Sequence, residues 1–150
     1  MNGKSDFGIY QIYGHHPIYG SDSLLYIGKA NLTTFSERFK SHQDEWIWFR
    51  NKGTIHFYIG RLGGEQHVSI EDSQWSEMID WAEKLLLNYC TPAMNSSSIK
   101  WLHNPDEKEV ILRNYFSYNK IPPELSTEWD QSFAWLKNKG DRWKIFTVKQ

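Results

Sequence analysis

Phe7-Gly8-Ile9-Tyr10-Gln11-Ile12-Tyr13 is rich in β-branched and aromatic residues, and Leu24-Leu25-Tyr26-Ile27-Gly28 matches it after a short interval. Both stretches read as strands. Between them Gly14 to Ser23 collects Gly, Pro, Ser and Asp, the residues of a connecting loop, so the pair reads as a hairpin with a long loop. Working outward, Thr34-Phe35-Ser36-Glu37 fits a capping box, in which the hydroxyl of the first residue and the carboxylate of the fourth satisfy each other's backbone amides. A helix is therefore expected from Thr34 to about His42 or beyond. Thr54 to Leu62 reads as a third strand, closed by Gly63-Gly64.

The clearest helix is Ser73 to Tyr89. Trp75, Met78, Ile79, Ala82, Leu85, Leu86 and Tyr89 recur at three- and four-residue steps, which gives a wide apolar face. Glu71, Asp72 and Glu77 suit its positive N-terminal end, and Thr91-Pro92 ends it. With Trp75 at zero on a helical wheel, Glu83 falls roughly 80° round, between Ile79 and Leu87, at the border of the buried stripe. Asn104-Pro105-Asp106-Glu107 is another helix start, with proline at the first helical position, and a helix to about Tyr115 is expected. Pro122-Pro123 reads as a turn, Thr127 to Asn138 as a short helix and Arg142 to Val148 as a last strand. The order predicts an α+β fold: a small mixed, mainly antiparallel three-stranded sheet flanked by helices, with a C-terminal extension.

A length of 150 residues suits one domain with a real core. Hydrophobic residues make up only 39%, but aromatics reach 16% with eight tryptophans, and each aromatic buries a large area. No run approaches the roughly 18 apolar residues that a spanning helix needs. The first residues lack the apolar segment of a secretory signal. Cys90 is the only cysteine, which rules out an internal disulfide and a cysteine zinc site. A cytoplasmic protein with no membrane association is expected. The formal net charge is −1, whereas proteins that wrap DNA electrostatically are usually basic.

The first hairpin carries Gly8-Ile9-Tyr10 on one strand and Tyr26-Ile27-Gly28 on its partner. Lys29 follows directly, Arg38 lies on the next helix with His42 one turn later, and Glu83 on the long helix precedes Pro92 and Asn95. In this order and company the sequence resembles the GIY-YIG nuclease superfamily over residues 8–95. The resemblance implies a catalytic core at 1–95, with 96–150 as an extension packed on it in a single domain. It implies a divalent-metal-dependent endonuclease that hydrolyses phosphodiester bonds in DNA. Glu83 would hold one Mg²⁺ or Mn²⁺, with water and phosphate oxygens completing the shell. Tyr10 and Tyr26 would position the attacking water, one of them as general base. Tyrosine ionises near pH 10, so a cation, Lys29 or the metal, must favour the phenolate. Arg38 would meet the charge building on phosphate. His42 would hydrogen-bond phosphate or tune Tyr10, and Asn95 would hold the active-site loop together.

Taken singly, these residues have plainer explanations. Tyr10 and Tyr26 could be cross-strand packing partners, Arg38 a surface salt-bridge residue, and Glu83 and Asp80 solvated helix acids, Asp80 being also a rival metal ligand. The alternative for the whole chain is a catalytically inactive nucleic-acid-binding or interaction module with the same fold. The spacer between the two tripeptides is longer than the family usually shows, and an extended loop near the site is expected. His15-His16 within it is a weak metal motif, because adjacent side chains on an extended segment diverge. No zinc finger or helix-turn-helix is present, so specificity falls to this loop, the last third, a homodimer or a separate partner. The end of the chain interleaves cations with Trp143 and Phe146. Lys144 and Lys149 are its candidate substrate contacts; an edge strand with protective lysines explains them as well.

Overall fold

A computed structural model describes residues 7–42, 53–61, 72–97, 109–115 and 121–127. Strands β1 (Gly8–His16), β2 (Gly20–Ala30) and β3 (His56–Gly60) form one sheet in the order β2-β1-β3. Both pairings are antiparallel, so the sheet is wholly antiparallel. Helix α1 (Phe35–Ser41) follows β2, and helix α2 (Asp72–Cys90) follows β3. Two short strands, β4 (Ile111–Arg113) and β5 (Glu124–Ser126), pair antiparallel as a second sheet. The α+β class expected from the sequence is the class observed. No described helix is long and apolar enough to cross a membrane.

β1 is central, and both its faces are covered. This explains why its residues 8–14 are buried except for the half-buried Gln11, where a one-sided strand would alternate. On one face Tyr10, Ile12 and Ala30 pack with Phe35 of α1, and Tyr26, Phe39 and Ile55 border them. On the other, Ile9 and Ile27 pack against Ile79, Ala82, Leu86 and Leu87 of α2 and against Ile121 and Leu125 beside and within β5. Burying a Leu or Ile side chain contributes about 1.5–3 kcal/mol, so this layer is the main reason why α2 stays on the sheet. The buried stripe of α2 is narrower at its start than the periodicity suggests, since Met78 is 36% exposed. α1 begins as expected: the Thr34 hydroxyl accepts from Glu37 N, and the Glu37 carboxylate accepts from Thr34 N.

Two expectations need correction. Residues 14–23 are not a long loop. β1 continues to His16 and β2 starts at Gly20, leaving only Pro17–Tyr19 as the connection. Register shifts between Ile12 and Tyr13 and between Gly14 and His16 let the ladder run on through a stretch whose composition suggests a turn. His16 Nδ1 accepts from the amides of Ile18 and Tyr19, both at 3.2 Å, and its ring stacks on Tyr19 at 4.7 Å. The tip lies six or more residues along the ladder from Tyr10, about 20 Å at strand rise, so it is not near the site. The second correction concerns the helix expected up to Tyr115. Residues 111–113 are strand β4, because Leu112 joins the apolar layer and pairs with Leu125. Residues 101–108 and 128–150, with the remaining expected helices, the last strand, Lys144 and Lys149, lie outside the described residues.

Candidate active site

Gly28 faces Tyr10 in the ladder, and Tyr26 faces Ile12. Alternation along the strands puts Tyr10, Tyr26 and Gly28 on the α1 face. A Cβ on Gly28 would meet Cζ and Oη of Tyr10 at 2.5 Å and Cε1 of Tyr26 at 2.7 Å. The glycine is thus the floor on which both rings lie, with centroids 6.0 Å apart and planes 25° from parallel. Phe39 meets Tyr10 edge-on at 5.1 Å and Phe35 at 6.4 Å, and such edge-to-face pairs are favourable. Tyr10 is fully buried, while Tyr26 is half-buried.

α1 brings Arg38 to the same group. Burial pushes the Tyr10 phenol well above its ordinary range, the charge of a neighbouring Tyr26 phenolate would raise it further, and the Arg38 guanidinium pulls the other way. The cation acting on Tyr10 is therefore Arg38. The Nε of Arg38 is buried and has no hydrogen-bond partner among the described residues. His42 closes α1 as its C-cap, with its backbone N–H donating to Lys40 O and its Nε2 buried.

The second group lies on the α2 face. Lys29 has the strand parity of Ile27 and Ile9, not of Tyr26, and its Nζ lies 2.8 Å from Glu83 Oε2 and 3.0 Å from Asp80 Oδ1. Burial works against the charged lysine, but the hydrogen bonds and charges of Glu83 and Asp80 outweigh it and raise its pKa. Asn31 joins them: its Nδ2 donates to Asp80 Oδ1 at 2.7 Å and to Ser76 O at 3.0 Å. The Glu83 side chain is 17% exposed, against 43% for Asp80, which agrees with a border position on the helical wheel. Lys29 thus serves the carboxylates, where the resemblance offered either Lys29 or the metal as the cation for a tyrosine.

Asn95 ties β2 to the segment after α2. Its Oδ1 accepts from Ile27 N at 2.9 Å and its Nδ2 donates to Ile27 O at 2.8 Å. Ala93 N and Met94 N donate to Leu24 O and Leu25 O, so the segment covers the outer edge of β2 and removes unpaired backbone groups there. The sharp turn off α2 begins at Thr91, whose φ is +41°, and Pro92 is buried behind it. Burial raises the Cys90 thiol pKa to about 11, which favours the protonated thiol over the nucleophilic thiolate at neutral pH.

The structure therefore gathers Tyr10, Tyr26 and Arg38 on one face of β2 and Lys29 and Glu83 on the other, with Asn95 fastened to the strand between them. Asn31 and the steric role of Gly28 went unread in the sequence. A signal for the split existed in the two-residue period of β2. For Asn31 there was none, since its partners are on a distant helix. No family model, curated protein or solved structure significantly matches the chain.

The donor chemistry can be weighed against a divalent cation. Two carboxylate oxygens converge on one cationic nitrogen, and oxygen donors suit Mg²⁺ and Mn²⁺. No group of three or more His, Cys, Asp or Glu able to hold a metal occurs among the described residues. The fit is to an ion held by one or two carboxylates, with water and substrate oxygens completing the shell, which is how Mg²⁺ is commonly bound.

Proposed function

We propose that the chain is a divalent-metal-dependent DNA endonuclease of the GIY-YIG kind. The observation that carries this reading is the tyrosine pair laid over Gly28 with Arg38 beside it. At the end of the same strand, Lys29 reaches Glu83. These are the residues that the resemblance singles out, and the fold is of the class that it implies.

The two tyrosines take different parts. Tyr10 is sealed from solvent and its proton is held tightly, so it serves to position its neighbour. Tyr26 is half-buried and is the one able to touch and orient an attacking water as general base. Arg38 has an Nε without a hydrogen-bond partner among the described residues and a planar fork suited to phosphate oxygens. Asn95 fixes the backbone of Ile27 between Tyr26 and Gly28. Glu83 would hold Mg²⁺ or Mn²⁺, which would supply Lewis-acid polarisation of phosphate and positive charge for a leaving oxygen. With a net charge of −1, affinity for duplex DNA is expected to be weak, micromolar or poorer at physiological salt.

The test is incubation with supercoiled, linear and branched DNA, with and without Mg²⁺ or Mn²⁺. Cutting or nicking that needs the metal and leaves 5′-phosphate and 3′-hydroxyl ends is expected. Cleavage indifferent to a chelator overturns the mechanism. Intact DNA in every tube overturns the enzyme reading. One observation favours the alternative, an inactive nucleic-acid-binding module: Glu83 already has a cation, the Lys29 ammonium.

A further inference from the structure

We propose that Asp80 and Asn31 are positioning residues that hold the Lys29 ammonium beside Glu83 as a resident counter-ion, which a divalent cation must displace. The inference rests on the reading of Glu83 as the metal anchor.

Lys29 is shared by two carboxylates that differ in setting. Glu83 is the more shielded and Asp80 the more exposed. The Asp80 oxygen that faces Lys29 also accepts from Asn31 at 2.7 Å. An oxygen already engaged by two donors has little left for a metal, whereas Glu83 Oε2 has, among the described residues, the lysine alone at 2.8 Å. Asn31 is itself fixed, because the same amide nitrogen donates to Ser76 O one turn earlier on α2. Asp80 is thus aimed from the end of β2 and has a set place. A doubly charged ion arriving at Glu83 repels the ammonium, which is left with Asp80 without leaving the site. Asp80 then sets how readily Glu83 is vacated, and it acts on metal affinity only through Lys29.

The assignment makes a prediction that a ligand role for Asp80 does not share. Mn²⁺ binding to the full chain is read by the loss of the free-ion paramagnetic resonance signal, with no DNA present. Glu83→Gln should abolish binding. Lys29→Met should tighten it about fivefold, the scale of a partly exposed ion pair. Asp80→Asn and Asn31→Ala should each weaken it by a similar factor, because Lys29 then rests on Glu83 alone. In the Lys29→Met background both should have no effect. Lys29→Gln, checked by circular dichroism, replaces Lys29→Met if the latter does not fold. Equal weakening by Asp80→Asn in both backgrounds makes Asp80 a ligand and overturns the proposal, as does unchanged affinity in the Lys29 variant. Either result leaves the metal reading standing. A wild-type chain that binds no Mn²⁺ up to millimolar concentration overturns both.

Discussion

Gly28→Ala adds one methyl group where two tyrosine rings already lie. The new Cβ would stand 2.5 Å from Tyr10 Cζ and Oη and 2.7 Å from Tyr26 Cε1. Relaxed carbon contacts are about 3.5–4.0 Å, so the rings must retreat by about 1 Å. Tyr10 has nowhere to go: it is fully buried, with Phe39 and Phe35 against it. Relief therefore requires α1 or β2 to shift, and such overpacking costs about 1–3 kcal/mol. For a chain of this size 2 kcal/mol lowers the melting temperature by about 4–8 °C. If the tyrosines act in cleavage, a displacement of about 1 Å should also lower its rate by about 100-fold. The control is Gly20→Ala. Gly20 has φ +83° and open space around its Cβ position, so alanine there pays only a backbone cost of about 1–2 kcal/mol. Thermal melts and a plasmid-nicking assay on both variants separate the two effects. Similar losses of stability are expected, with nicking lost only in Gly28→Ala. Wild-type melting of Gly28→Ala, or equal nicking by the two variants under conditions where both are folded, would refute the reasoning.

Other outcomes follow from the same contacts. Burial raises the Tyr10 pKa in the folded state, so the stability from its protonated phenol is intact below about pH 10 and is lost as pH climbs through the folded value. Denaturant melts should therefore show Tyr10→Phe losing less stability than wild type above about pH 10, and parallel alkaline losses would contradict the burial argument. Asn95→Ala leaves the N–H and C=O of Ile27 without their partner and should cost about 1–3 kcal/mol in urea unfolding; a change under 0.5 kcal/mol (roughly the noise of surface substitutions) would remove the clasp from the fold's supports. Glu83→Gln should abolish cleavage while duplex binding, measured by fluorescence anisotropy, stays near wild type or tightens slightly. Full cleavage by Glu83→Gln, with none by Asp80→Asn, would move the metal anchor to Asp80.

Much of the fold was legible because its periods are undisturbed. The three- and four-residue recurrence of Ile79, Ala82, Leu86 and Tyr89 marked α2, and Thr34 with Glu37 marked the start of α1. Composition misled where cross-strand pairing overrides it. Gly14 to Ser23 has the residues of a loop, yet register shifts carry the ladder almost to Pro17. Ile111-Leu112-Arg113 follows an apparent helix start, but tertiary pairing with β5 makes it a strand. The candidate site residues could be named from the sequence, but their partnerships could not. Strand parity separates Lys29 from Tyr26, but which charges await a lysine on that face depends on how α2 crosses the sheet. Sequence spacing does not encode that crossing. The Asn31 link to Asp80 spans 49 positions and left no local trace.

The last six residues of β2 and its exit connect the whole arrangement. Tyr26 and Gly28 meet Tyr10, which α1 and Arg38 enclose. Ile27 is clasped by Asn95 and packs into the α2 layer. Lys29 and Asn31 reach Glu83 and Asp80. Alternation makes this possible, since a strand is the one element that presents successive residues to opposite faces within about 3.3 Å. It also makes the placement demanding, because a slip of one residue would send Lys29 into the tyrosine layer and Tyr26 towards the carboxylates. The Asn95 clasp pins β2 on its outer side, and Gly28 accepts only the register that sets a glycine under two rings. These two contacts resist the same slip from different sides of the strand. Register is thus a role open to an asparagine and a glycine, neither able to perform proton transfer or carry charge, and it is the one these contacts give to Asn95 and Gly28.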